Sequence, residues 1–300
     1  MIDIGPQYKR DDEFTRRMRW HQSWYRACVL RVPHGTGPSS SSRTPYGNML
    51  QEDAASRGLN FLTPDMFELA RQRVATGAGV VEEFRLMRNM LSSQPMCFNL
   101  FGELALNHDK ATDMVRALWD THAKRVSDVQ FEWSPQPASE YLDDRTAFDA
   151  FIEYEADAGK AGFIGIEVKL TEPFSQRRYD KPTYRRWMTP ESPWRPDSRE
   201  AVADIRHNQL WRDHLLAWST LQHASSKYQS GHLSVVFHPE DHRCRSVIDG
   251  YRRLLRSHAT FSAFDLAQVV SAWRPFAGEW LQAFADRYLE LNTSDQRRPH

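Results

Sequence analysis

Two short segments constrain this chain more than any other feature: Phe148-Asp149-Ala150-Phe151-Ile152 and Gly165-Ile166-Glu167-Val168-Lys169-Leu170. In both, apolar and aromatic residues flank a few charges, the pattern of a buried β-strand. Glu167 and Lys169 are two residues apart, which places both on one face of such a strand. A tight hairpin through Gly159 brings the preceding strand alongside, and Asp149 arrives beside them. From Phe163 to Leu170 both parities are apolar except at Glu167 and Lys169, as in a strand covered on both faces. Two carboxylates and an ammonium in such a setting are costly unless a metal or a substrate offsets their desolvation. The competing reading is a surface strand that alternates charge with apolar residues for solubility, and the apolar flanks count against it.

The rest of the chain builds a mixed α/β architecture around these strands. Residues 11 to 31 read as a helix dense in arginine and tryptophan, and the Gly/Pro/Ser segment from Pro33 to Pro45 reads as a flexible loop. Thr63-Pro64 predicts a helix start, N-cap and first helical position, running to about Thr76. Further helices are expected near Glu82, from Gln94 or Pro95 through Leu106, and from Asp113 to His122. Then the period changes. Strands are expected at Val129–Trp133, Ala147–Glu155 and Gly162–Thr171. A proline- and charge-rich insertion at 172–199 follows, then a helix from Ala201 to His223 and a strand at Leu233–Phe237. A helix from Cys244 to Arg256, a short strand at Thr260–Leu266 and helices to about Leu291 complete the core. The polar tail, 292–300, is expected to be disordered.

Composition excludes several classes. Lys+Arg and Asp+Glu balance at 39 each, so a nucleic-acid partner has to be held by a local basic patch and not by a global field. Cys28, Cys97 and Cys244 are too few and too scattered for a disulfide framework or a cysteine-based zinc site, which favours a reducing, cytoplasmic location. No apolar run reaches membrane-spanning length, and no signal-peptide core opens the chain. The histidines of Gly231-His232 and His238-Pro239-Glu240-Asp241-His242 sit at a strand and its closing turn, and a turn explains the second group better than zinc does.

Asp on the second strand and Glu-x-Lys on the third, within a helix–three strands–helix–strand order, resembles the PD-(D/E)XK nuclease superfamily. Within it the chain looks most like a bacterial restriction-endonuclease-like group. The resemblance implies a restriction-endonuclease-like αβββαβ core over 94–291, a central mixed sheet flanked by helices, with a helical N-terminal extension over 1–93. It implies that Asp149 and Glu167 bind Mg²⁺, with Mn²⁺ able to substitute, and that Lys169 positions or activates the attacking water. It adds Glu103 as a third metal ligand from the helix before the first strand. It also adds Gln209, in Asn208-Gln209-Leu210-Trp211-Arg212, as a catalytic-site glutamine. No Pro-Asp pair precedes the motif, and Asp143, Asp144 and Glu153 are rival carboxylates.

The implied activity is endonuclease cleavage of DNA, in defence or repair, with a homodimer supplying two active sites. Phosphate contacts are expected from Arg177, Arg178, Lys181, Arg185 and Arg186 of the insertion, which are interleaved with aromatics, and from Arg212. A second basic group lies at Arg16, Arg17, Arg19 and Arg26. An inactive nuclease-fold protein that binds nucleic acid or a protein partner is the alternative. A metal-carboxylate hydrolase of small phosphate esters is a third.

Overall fold

A computed structural model of the protein describes residues 2–37, 44–77, 82–119 and 121–296. They divide into two compact units, Met1–Leu106 with Arg274–His300, and Asn107–Trp273.

In the first unit the opening helix, Glu13–Trp24, starts where Asp12 accepts a hydrogen bond from the Thr15 amide at 3.1 Å. It does not run unbroken to residue 31: a π-helical turn, Tyr25–Leu30, follows and ends at Arg31 in the left-handed region, φ 56°. Arg26 lies in that turn, 1% exposed, and donates to the backbone carbonyls of Gly47 and Asp3 at 2.7 Å each, and to that of Val32. Arg17 pairs with Asp295, and Arg19 with Asp11. Of the four arginines of the expected N-terminal basic cluster, Arg26 is buried on backbone carbonyls, Arg17 and Arg19 are paired and partly exposed, and Arg16 is exposed. Thr63 and Pro64 act as read, with Thr63 Oγ1 accepting from the Met66 amide at the head of the helix Pro64–Ala75.

Two other expectations for this unit change. The segment read as a loop from Pro33 to Pro45 contributes a strand, β1 (His34–Thr36), which pairs antiparallel with β2 (Pro45–Leu50). Residues 38–43 of that segment lie outside the described residues. The expected disordered tail begins instead with a helical turn, Asn292–Asp295. Buried Ser294 anchors that turn, meeting the His21 ring at 3.0 Å and donating to the Leu291 carbonyl at 2.9 Å. The end of the tail, 297–300, lies outside the described residues.

The second unit is built on a five-stranded sheet in the order β3 (Arg125–Trp133), β4 (Phe148–Glu155), β5 (Ala161–Lys169), β6 (Tyr228–Phe237), β7 (Phe261–Asp265). The first three strands pair antiparallel and the last three parallel. This is the mixed α/β architecture expected, with helices flanking a central mixed sheet. The parallel step from β5 to β6 needs a crossover, and the insertion plus the helix Asn208–Gln222 provide it. The expected helix from Ala201 is two: Arg199–Ala203 ends before the turn at 204–207, and Asn208–Gln222 begins after it. The helix that directly precedes β3 and packs on it is His108–Trp119, whose Asp109 and Asp113 are both exposed.

Aromatic rings knit the strands laterally. Trp133 stacks on Phe151 at 3.9 Å, Phe151 on Phe163 at 5.2 Å, and Tyr228 meets Phe163 edge-on at 4.9 Å. Each such pair adds about 0.5–1.5 kcal/mol beyond its burial. Gly165 belongs to this packing, since a Cβ there would stand 2.5 Å from the Phe148 ring. Leu210, Trp211, Leu215 and Trp218 of the crossover helix close the same core. Strand alternation puts Phe163, Gly165, Glu167 and Lys169 on one face of β5. The aromatic part of that face makes core, and its end carries the charges.

Candidate active site

Glu167 and Lys169 sit at the end of β5 opposite Val235 and Phe237 of β6, and both are buried, at 5% and 7% exposure. Lys169 Nζ lies 2.7 Å from Glu167 Oε1. Asp149, at the start of β4, is only partly covered, and its Oδ2 accepts the Val168 amide at 2.7 Å. That bond ties the aspartate to the strand carrying the other two charges. Gln209, in the first turn of the crossover helix, closes the group: its Nε2 donates to Glu167 Oε1 at 2.6 Å. Its Oε1 accepts from Lys169 Nζ at 3.4 Å and from the Ser175 amide at 2.7 Å. Phe174 covers the ammonium, with its ring centre 5.1 Å from Nζ. Asp149, Glu167, Lys169 and Gln209 are thus brought together within one unit.

The electrostatics are lopsided. Desolvation comes first, then repulsion from Glu167 and Glu132, and together they push the Asp149 carboxyl well above its usual range; Lys169 and the Val168 amide only partly oppose this. Burial alone would lower Lys169, but attraction to Glu167 and Asp149 outweighs it and holds the ammonium above the usual lysine range. Lys169 therefore stays charged. Breaking the buried Lys169–Glu167 pair from either side would leave an uncompensated charge, which costs about 3–5 kcal/mol.

Two acids here escaped the sequence reading. Glu132 of β3 is 7% exposed, has φ 51°, and acts on Asp149 from the neighbouring strand. Its proximity follows only from the β3–β4 register, with Phe131 opposite Ala150 and Trp133 opposite Phe148. Asp213 is 3% exposed, and its Oδ2 has no hydrogen-bond partner among the described residues. Burial, then Glu167, raises its carboxyl well above the usual range. The available signal was its position one helical turn beyond Gln209.

The rival carboxylates have other work. Asp144 accepts from the Thr146 amide at 2.8 Å and from the Tyr184 hydroxyl, which shapes the turn before β4. Glu153 accepts from Lys227 at 2.8 Å and the Tyr228 hydroxyl at 2.6 Å. Glu103 lies half-buried on the helix Ser93–Leu106 of the first unit, so its assignment rests on the resemblance alone.

Much of the insertion's positive charge braces its own fold. Arg185 pairs with Asp180 and lies over Trp211, Arg186 donates to the Ser139, Glu140 and Tyr141 carbonyls, and Lys181 donates to that of Asp143. Arg178 donates to the Ala203 carbonyl at 3.0 Å yet remains exposed, as does Arg177. Arg212 donates to Thr146 Oγ1 at 3.1 Å, and its guanidinium lies 4.8 Å from the Tyr179 ring.

A family model of the PD-(D/E)XK nuclease superfamily matches residues 9–290. The chain belongs to the PD-(D/E)XK nuclease superfamily. No curated protein and no solved structure matches it. The superfamily's name describes what the second unit displays, an acid on one strand and a Glu-x-Lys on the next, and it implies a nucleic-acid substrate and usually a divalent metal. Among the described residues no helix is long and apolar enough to cross a membrane.

The donor set fits such a metal. Asp149 and Glu167, with Glu132 acting on Asp149 from the next strand, are hard anionic oxygen donors of the kind a divalent cation takes. No group of three or more His, Cys, Asp or Glu side chains among the described residues is gathered closely enough to hold a metal ion by itself. Mg²⁺ does not require one, since it keeps several waters and is held by one or two carboxylates together with substrate phosphate.

Proposed function

We propose that the chain is a Mg²⁺-dependent endonuclease that hydrolyses phosphodiester bonds of DNA in the cytoplasm, in defence or repair. The observation that carries this reading is the convergence of Asp149, Glu167 and Lys169 under the Gln209 bridge. Asp149 and Glu167 would hold the cation, with Mn²⁺ able to replace Mg²⁺. When bound, the cation supplies Lewis-acid stabilisation of the charge that builds on the phosphate.

Lys169 does the remaining electrostatic work. Its ammonium is placed to donate a hydrogen bond and to present a positive charge, orienting the attacking water or a non-bridging phosphate oxygen. Gln209 fixes the rotamers of both Glu167 and Lys169, so that little reorganisation is needed as charge develops. Arg177, Arg178 and Arg212 retain exposure or partial exposure with which to touch the phosphate backbone.

The test is cleavage of supercoiled plasmid and of a single-stranded circle in Mg²⁺, Mn²⁺ or EDTA, comparing the natural chain with Lys169→Ala. Metal-dependent cutting that disappears in Lys169→Ala is the expected result. Binding of DNA without metal and without turnover would replace this reading with that of a non-catalytic binding protein.

A further inference from the structure

The second unit has a cavity of about 230 Å³, lined in part by Phe174. The Phe174 ring covers the Lys169 ammonium and also lines this cavity. Its apolar walls come from Phe174, Ile205 and Val247. Polar groups enter from Glu172 and Gln176, Asp241 on the lining caps the helix His242–Arg252, and two exposed arginines, Arg206 beside Ser246 and Arg243 beside Asp241, complete it. The segment that bears Phe174 is tied to the catalytic group, because the Ser175 amide donates to the same Gln209 oxygen that accepts from Lys169. Gln176 Nε2 donates to the Phe174 carbonyl at 2.8 Å and stiffens that wall.

Three properties point to one occupant. The volume falls below the roughly 300–1,000 Å³ of pockets that take whole drug-sized ligands, so a single ring system fits and a polynucleotide segment does not. Apolar walls that include the Phe174 ring suit a planar heterocycle, with the Glu172 carboxylate on the same lining for an amino group at its edge. Arginines on the same lining, next to the cleavage chemistry, suit the phosphate attached to that heterocycle. Ile205, 42% exposed on the same lining, is an apolar side chain that could wedge against a base stack.

We propose that this cavity receives one unstacked nucleobase of the substrate, so that the chain acts at nucleotides turned out of the helical stack. The inference rests on the nuclease reading and deepens it. Unstacking costs a few kcal/mol in a matched duplex and least where the base is mismatched or already single-stranded. Substrates with such positions are therefore the preferred ones.

The experiment uses the full chain carrying Lys169→Ala, with Mg²⁺, and duplexes containing a single 2-aminopurine placed in turn at matched and mismatched positions. Fluorescence anisotropy reports binding, and 2-aminopurine emission reports unstacking. A several-fold emission rise confined to one position is expected, largest at mismatches. A second arm fills the cavity with Val247→Phe. It should weaken binding of an intact strand by roughly tenfold while leaving unchanged the binding of a strand that is abasic at the reporting position. Ile205→Trp makes the same comparison from an exposed position should Val247→Phe fail to fold. Tight binding with no emission rise, or equal losses on intact and abasic strands, overturns the base pocket and leaves the nuclease reading standing. Absence of any nucleic-acid binding or cleavage by the natural chain removes both.

Discussion

Gln209 donates its amide N–H to Glu167 Oε1 at 2.6 Å, from a helix that begins 39 residues after β5 ends. The orientation of that amide is fixed by its other end, where one oxygen accepts from both the Ser175 amide and Lys169 Nζ. A flipped side chain would set N–H against N–H at the Ser175 and Lys169 contacts and oxygen against oxygen at Glu167. One neutral side chain thus holds the buried ion pair and the loop beside it in a single arrangement.

Gln209→Ala should lower kcat/KM for DNA cleavage by about 10- to 100-fold, the usual range for a residue that orients metal-site ligands, with an unchanged far-UV spectrum. Gln209→Glu should be more damaging, since a second carboxylate would face Glu167 without a donor between them. Steady-state cleavage kinetics read both. Cleavage by Gln209→Ala at the natural rate would show that the clamp plays no part in turnover.

The strands that carry the site were legible because their signals are local. Apolar flanks, the Gly159 turn and the i, i+2 spacing of Glu167 and Lys169 place β4 and β5 within a residue or two of where they lie, and the Thr63-Pro64 helix start is equally local. Non-local relations were not legible. The nearness of Glu132 to Asp149 depends on a β3–β4 register and a left-handed backbone at Glu132, neither of which leaves a mark in the sequence. Arginine density misled at Arg26, because composition cannot distinguish a guanidinium aimed at phosphate from one that is buried on backbone carbonyls. The short strand β1 was hidden in a Gly/Pro/Ser segment whose composition reads as loop.

Asp149 stands among like charges, so neutralising it should stabilise the metal-free protein. Asp149→Asn keeps an oxygen able to accept from the Val168 amide and removes the repulsion from Glu167 and Glu132. In EDTA the melting temperature should rise, by about 2–4 °C for each kcal/mol of strain relieved in a unit of this size. Mg²⁺ should raise the natural protein's melting temperature and leave that of the variant unmoved, and the variant should not cut DNA. A lower melting temperature for Asp149→Asn in EDTA would mean that the aspartate is structurally compensated after all.

Glu132 strengthens the negative field around Asp149 from the adjacent strand. Glu132→Gln should therefore weaken binding of a divalent cation by about tenfold, measured by titration calorimetry with Mn²⁺ and independently of any cleavage. Asp149→Ala should abolish that binding altogether. Unchanged Mn²⁺ affinity in Glu132→Gln would confine Glu132 to a role in the strand.

Acid should destabilise the second unit through His214. Its ring is fully enclosed, meeting the Tyr251 hydroxyl at 3.0 Å through Nδ1 and Thr260 Oγ1 at 2.8 Å through Nε2. Burial, with His232 nearby, lowers it from 6.5 to about 3. Because the folded value lies below the unfolded one, the unfolded chain takes up the proton first as pH falls. Stability is complete above about pH 6.5 and is lost progressively down to about pH 3. Between pH 7 and pH 5 this one group should remove about 2 kcal/mol. His232, which burial lowers to about 4, adds in the same direction. Urea midpoints at the two pH values would measure the loss. His214→Gln, which keeps a donor and an acceptor but cannot titrate, should flatten the dependence by that amount, and an unchanged slope would assign the acid sensitivity elsewhere.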